Sequence, residues 1–594
     1  MSSHDDDVIG KAYDSRLMKR LLGYLRPYAW QASLALVAII TSAVLQLAPP
    51  YLTRLAIDHY IARRDLAGLP VLAAVYLAVL VGGFGLEYLQ TWVMQMTGQR
   101  IMCDLRMEMY AHLQRLDLRF YDRNPVGRLM TRVTSDVDVL NDLFTAGVVA
   151  IFGDVFTLAG IMIVMLSMNW KLALASFIVL PLIVLVTQWF RKNVRESYRI
   201  VRGWIARINA FLQENLTGMS TVQIFRREAR NFDTFDRINR AHRDANIESI
   251  FYYAVFYPAI ELVGALAASI IIWLGGLDVM SGTLTIGVLV AFLQYSARFY
   301  RPISDMSEKF NVLQSAMASS ERIFTLLDTP VAVTNSASPV VMAAPLRGHI
   351  VFDQVWFAYN GDDWVLKDVS FEVRPGQRVG LVGATGSGKT TIISLLLRFY
   401  DVQRGRILVD GHDIRELDLA ALRQLFALVL QDVHLFSGTV GANIRLGAAA
   451  IDDQRVKEAA EAVRAHRFIV ELPGGYQSPV AERGATFSTG EKQLLSFARA
   501  LAFDRRVLIL DEATSSVDTE TELVIRDALD VLMRGRTTIA VAHRLSTIQG
   551  MDTILVLHKG VLRESGTHQT LLARRGIYYR LYQLQFKDAV PKSA

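Results

Sequence analysis

Gly383-Ala384-Thr385-Gly386-Ser387-Gly388-Lys389-Thr390 is the stretch that decides how this chain folds. The run Arg378–Val382 before it is apolar and strand-like, and Thr391–Arg398 after it is helix-like. A strand, a glycine-rich turn and a helix in that order make a phosphate cradle. Glycines let backbone N–H groups wrap an anion, and the helix N-terminus adds positive potential. Lys389 is then expected to neutralise the β- and γ-phosphates of a nucleotide, and the Thr390 hydroxyl to coordinate Mg²⁺. Gly383, Ala384, Thr385, Gly386, Ser387, Gly388 and Thr391 complete the expected cradle. A glycine-rich turn arising by chance would lack the flanking strand and helix.

Downstream, Val507-Leu508-Ile509-Leu510-Asp511-Glu512 is an apolar strand ending in two carboxylates. Alone it reads as a buried strand with a charged end. After a phosphate cradle, Asp511 is expected to help hold Mg²⁺ and Glu512 to polarise the attacking water.

The first half of the chain suits a different solvent. Of 594 residues, 52% are hydrophobic and 20% charged, and mean hydropathy is +0.27. That balance is unusual for a soluble protein. Six runs have the roughly 20 apolar residues a span needs: about 30–52, 68–96, 144–168, 170–192, 250–277 and 284–304. Connections 54–67, 169–171 and 278–283 are short, whereas 97–143 and 193–249 are long, charged and helical in pattern. The long ones carry Arg100, Arg106, Arg115, Arg119, Arg123, Arg128 and Arg132, then Arg191, Lys192, Arg195 and Arg199. Basic loops stay cytoplasmic. An even number of spans then puts both termini and the phosphate cradle on the cytoplasmic side of a bacterial inner membrane.

The acidic N-terminus lacks the basic, then apolar, pattern of a cleaved signal peptide. Leu17, Leu21, Leu22 and Leu25 share a helical face among Lys19, Arg20 and Arg26, which predicts an interfacial elbow helix. Cys103 is the single cysteine, so no internal disulfide forms. Net charge is +6 without basic patches interleaved with aromatics, which excludes a nucleic-acid partner. The expected fold is an α-helical membrane domain of six transmembrane helices with long cytoplasmic extensions, followed by an α/β P-loop ATPase domain.

From about Gly348 to Leu584 the chain resembles the nucleotide-binding domain of ABC transporters, which implies ATP and Mg²⁺ as ligands. Tyr359 resembles the aromatic that stacks on adenine. Gln431 resembles the Q-loop glutamine, counted with Thr390 and Asp511 around Mg²⁺ and linking the γ-phosphate site to the membrane domain. Glu482-Arg483-Gly484 resembles the exporter X-loop, and Asp518 belongs to a D-loop-like Ser516-Val517-Asp518. His543 resembles the switch histidine at the γ-phosphate. Phe120–Arg128 with Asp136, and Glu214–Phe225, resemble the two intracellular loops whose short coupling helices press on ATPase domains. The implied domains are 1–28 (cytoplasmic N-terminus with elbow), 29–328 (membrane domain), 329–347 (linker), 348–587 (ATPase domain) and 588–594 (tail).

In this family ATP is sandwiched between the P-loop of one cassette and the signature motif of another, so the implied unit is a dimer. Here the signature reads Phe487-Ser488-Thr489-Gly490-Glu491 instead of the family's Leu-Ser-Gly-Gly-Gln. Ser488 and Gly490 survive. Thr489 adds a side chain where the backbone approaches closely, and Glu491 sets a carboxylate near an anion. With Glu512 and His543 intact, the chain resembles one member of the heterodimeric, Mdl-type multidrug-resistance-like half-transporters. The expected partner is a second half-transporter, with this chain supplying the catalytic glutamate of the competent site. A homodimeric lipid flippase or multidrug exporter, and a siderophore importer on an exporter scaffold, are the alternatives.

For cargo, ionisable residues within spans are functional candidates. Glu87, Asp154, Glu261 and Arg298 are the candidates for a cavity taking a small amphipathic or lipid substrate. Mutual pairing or exposure to water below the bilayer is the competing reading.

Overall fold

The computed structural model describes residues 14–586, apart from 66, 343–345, 512–518 and 542–547. Two compact units emerge: residues 1–114 with 127–329, and residues 115–126 with 330–594.

The first unit is all helix. Five of its described helical stretches are long and apolar enough to cross a bilayer: Arg26–Ile61, Leu69–Leu113, Ile151–Met168, Trp170–Thr217 and Glu228–Met280. The sixth expected span falls on a long helix, Ile286–Leu327, whose described apolar part Ile286–Phe299 is shorter. The order is α1 (Ser15–Gly23), α2 (Ala29–Leu55), α3 (Leu69–Leu113), α4 (Leu118–Arg123), α5 (Val126–Val133) and α6 (Ser135–Asp142), then α7 (Val149–Met168), α8 (Trp170–Phe177), α9 (Leu180–Thr217), α10 (Met219–Ile224), α11 (Glu228–Met280) and α12 (Ile286–Leu327). Helix α4 alone among these belongs to the second unit. The tight hairpin expected at 169–171 is closed by Asn169, whose side chain caps α8 at the Leu172 amide (3.1 Å). Helix α11 has 53 residues, about 80 Å at 1.5 Å per residue, so this span does continue far beyond a bilayer. Pro258 lies within it without ending it.

Polar contacts tie α2 to α12, and the sequence explains them. Pro49 and Pro50 sit inside α2. Pro50 has no N–H to offer the Gln46 carbonyl one turn back. The Arg298 guanidinium donates to that carbonyl at 2.6 Å, and the Tyr295 hydroxyl donates to the neighbouring Leu47 carbonyl at 2.5 Å. Beyond α2, a π-helical turn at Ala56–Ile61 carries Asp58. Its carboxylate accepts from the Thr285 hydroxyl (2.6 Å) and the Gly287 amide (2.9 Å) at the start of α12. A buried core of Ile161, Met165, Leu172, Ile271, Phe292 and Tyr295 joins α7, α8, α11 and α12.

The second unit is an α/β domain. Strands β1 (Ile350–Ala358), β2 (Trp364–Val373), β4 (Arg404–Val409) and β5 (His412–Asp413) form an antiparallel sheet in the order β2-β1-β4-β5. A six-stranded sheet runs β12-β11-β3-β10-β9-β6, with β3 (Arg378–Val382), β6 (Phe426–Val429), β9 (Val507–Asp511), β10 (Thr537–Val541), β11 (Thr553–His558) and β12 (Val561–Gly566). All are parallel except β12. A two-stranded ribbon pairs β7 (Gly438–Thr439) with β8 (Pro479–Val480).

Strand β9 shows why this sheet needs two covered faces. Val507 and Ile509 enter one core with Ile392 and Leu395 of α13 (Lys389–Leu396). Leu508 and Leu510 enter the other, with Leu494, Leu495 and Phe497 of α18 (Thr489–Ala502). Each such side chain is buried, worth roughly 1.5–3 kcal/mol. Between α13 and α18 lie α14 (Leu419–Arg423), α15 (Val440–Arg445), α16 (Asp453–Ala462) and α17 (His466–Glu471). Helix α19 (Thr519–Met533) packs on α18.

Candidate nucleotide-binding site

The parallel strands bring the candidate residues to one edge. In register, Leu381 of β3 pairs with Val541 of β10, Val541 with Asp511 of β9, and Val429 of β6 with Leu510 of β9. The loop 383–388, Gln431 and Asp511 therefore all leave the carboxyl edge of the same sheet. Ligands of open α/β sheets bind at that edge.

Two glycines in the loop are fixed by geometry. A Cβ on Gly383 would lie 2.4 Å from the Leu557 carbonyl oxygen. Gly388 has φ +103°, in the left-handed region, and caps α13 without any side-chain bond. Lys389 is buried, and its Nζ donates to the carbonyls of Gly383 (2.8 Å) and Ala384 (3.1 Å), two residues of its own loop. The Ser387 hydroxyl is buried with no hydrogen-bond partner. A loop with an open helix N-terminus, a curled lysine and an orphaned hydroxyl fits a triphosphate, which would supply the missing acceptors. Thr390, in the first turn of α13, and Asp511, ending β9, are oxygen donors of the type Mg²⁺ prefers. Gln431 follows β6 in an exposed turn.

Tyr359 follows β1. Its hydroxyl lies 3.2 Å from the Thr391 hydroxyl, and its ring meets Tyr400 edge-on at 5.3 Å. Helix α4 reaches the same corner, so the first expected coupling helix packs within this unit. Arg119 donates to the Tyr359 carbonyl (2.8 Å) and Arg123 to the Asn360 side chain (2.6 Å). The Tyr400 hydroxyl donates to Asp122. Burial, then that carboxylate, pushes the Tyr400 phenol well above its ordinary range. Tyr400 was not among the sequence candidates, and Asp122 entered only as part of the loop Phe120–Arg128; their contact in space marks the pair.

At the signature, Ser488 is the N-cap of α18 and Thr489 its first residue. The Glu491 carboxylate accepts from the Ser488 amide (2.8 Å), and the Glu491 amide donates to the Ser488 hydroxyl (3.3 Å). Ser488 and Thr489 are exposed and Gly490 buried. This reciprocal pair is a capping box. The expectation of a carboxylate near an anionic ligand did not include this bond, although Ser-x-x-Glu is readable in the sequence. Glu512, Asp518 and His543 lie outside the described residues.

The four cavity candidates are not brought together. Asp154 on α7 forms an ion pair with Lys309 on α12. Arg298 is used on the Gln46 carbonyl. Glu87 and Glu261 are exposed on α3 and α11. Lys309 was missed because it lies beyond the apolar run, and it gives Asp154 the partner that an intramembrane carboxylate needs.

Comparison with known proteins agrees with both halves. Residues 33–303 match the family described as ABC transporter transmembrane region, and residues 366–515 the family described as ABC transporter. The chain is 37% identical to an ATP-dependent lipid A-core flippase of Syntrophus aciditrophicus, over 96% of this chain and 95% of that protein. It is 37% identical to a fatty acid ABC transporter ATP-binding/permease protein of Mycobacterium bovis, over 87% and 82% respectively. A solved bacterial Atm1-family ABC exporter with ATP bound superposes with a TM-score of 0.77 at 28% identity, covering 98% of this chain and 100% of that one. The chain thus belongs to the ABC transporter family, as an exporter-type half-transporter of the bacterial cytoplasmic membrane whose cytoplasmic ATPase domain drives transport.

Proposed function

We propose that this chain exports an amphipathic compound or lipid as the hydrolytically competent half of an unequal dimer. The observation that carries the reading is the contrast within one cassette. The phosphate loop keeps an open helix N-terminus with Lys389 and the unpartnered Ser387 hydroxyl. The signature helix begins with an extra side chain, Thr489, and its own carboxylate, Glu491.

In this reading Lys389 and the loop amides hold the triphosphate, and Tyr359 holds the base. Mg²⁺, when bound near Thr390, Gln431 and Asp511, neutralises charge on the phosphates. Glu512 polarises water, His543 and Gln431 read the γ-phosphate, and Asp518 serves as the D-loop residue. The names of two relatives, a lipid A-core flippase and a fatty acid transporter, support a cargo with long apolar chains. The Asp154–Lys309 pair supports this too, because it leaves Asp154 neutralised rather than free to attract cations. The near full-length similarity to the lipid A-core flippase favours a second reading, a homodimeric lipid flippase.

The test is hydrolysis by the assembled transporter in lipid nanodiscs, titrated with fatty acids, acylated glycolipids and cationic amphiphiles. Stimulation by a lipid, absent in Glu512→Gln, is expected. Stimulation by cationic amphiphiles alone would refute the cargo class, and unchanged hydrolysis in Glu512→Gln would refute the base.

A further inference from the structure

A helix N-terminus presents unpaired amides and partial positive charge, and it recruits the nearest anion. In α18 that anion is already part of the helix. Glu491 Oε2 accepts the Ser488 amide at 2.8 Å, and Ser488 Oγ accepts the Glu491 amide at 3.3 Å. Glutamine satisfies the same capping box, since it reaches back with a neutral amide oxygen. The carboxylate is therefore not required for the cap. What it adds is a full negative charge, half-buried, within one turn of Ser488 and Gly490.

We propose that Glu491 is a built-in competitor for the γ-phosphate, setting how weakly this signature face engages ATP bound to the other cassette. This rests on the reading that the start of α18 meets that nucleotide. The carboxylate acts through its charge, which repels an incoming phosphate oxygen; Ser488 and Thr489 are exposed, so salt reaches that path and screens the repulsion. Glu491 is thus an affinity-setting residue, and it takes no part in the reaction itself. The consensus glutamine would keep the helix start and release the charge.

The substitutions separate charge from cap. Glu491→Gln keeps the capping box and removes the charge; Glu491→Ala removes both. They are compared in the full-length transporter, assembled as purified, in nanodiscs. The proposal expects Glu491→Gln to lower the half-saturating ATP concentration about threefold or more, with the thermal midpoint unmoved, and the gain to shrink between about 0.05 and 0.5 M salt. A purely structural cap predicts no change in ATP dependence for Glu491→Gln and a lowered midpoint for Glu491→Ala; that outcome overturns the proposal. Thr489→Trp tests the underlying reading, because it adds bulk at an exposed residue of the same helix end. If Thr489→Trp leaves ATP dependence and turnover unchanged, α18 does not meet nucleotide and the reading itself fails. If Thr489→Trp impairs both while Glu491→Gln matches wild type, only the role of Glu491 fails.

Discussion

Two helices of the ATPase domain begin in opposite ways. Helix α13 starts after Gly388, with no side chain bonded to its first amides and with Lys389 curled onto its own loop. Helix α18 starts at Ser488 with a complete capping box closed by Glu491. Both ends carry the same partial positive charge. The first keeps it for a ligand and leaves a buried hydroxyl, Ser387, unsatisfied in the process. The second satisfies itself. A helix end that is poorly capped by its own chain is the one prepared for an anion.

Substitutions at the two ends are expected to differ in size of effect. Lys389→Ala removes the cation of the open end and is expected to cut turnover by roughly 100-fold or more, measured as steady-state hydrolysis. Gly383→Ala forces a Cβ to 2.4 Å from the Leu557 carbonyl. The resulting strain, about 1–3 kcal/mol, should weaken ATP binding about tenfold while circular dichroism stays native. At the closed end, Ser488→Ala should cost about 1 kcal/mol of local stability, seen as faster hydrogen exchange in the first turn of α18. The smallest effect expected is the threefold gain in ATP affinity for Glu491→Gln. If Lys389→Ala and Ser488→Ala gave similar losses of turnover with unchanged exchange, the two ends would be equivalent and the contrast wrong.

The open end was legible in the sequence because its constraint is local. Gly383, Gly388 and Lys389 stand at fixed spacing between a strand and a helix, and the structure keeps that order. The membrane helices were legible by length and apolarity, since a bilayer imposes both. The closed end was half legible. Ser488-x-x-Glu491 is a local pattern too, but reading Glu491 only against a family consensus hid its bond to Ser488. Other features depend on contacts no spacing reveals. Arg298 reads as a cavity charge until Pro50 is seen to strand the Gln46 carbonyl. Asp154 reads as a cavity candidate until Lys309, 155 positions away in the chain, appears as its partner. Tyr400 acquires a role only when α4 brings Asp122 to it.

The unequal dimer proposed for this chain needs one cassette to carry an open phosphate loop and a self-capped signature face. Hydrolysis by this chain purified without any other half-transporter tests it most directly. Low, non-cooperative hydrolysis that Glu491→Gln raises is the predicted result. Robust, cooperative hydrolysis by the unmodified chain would contradict it.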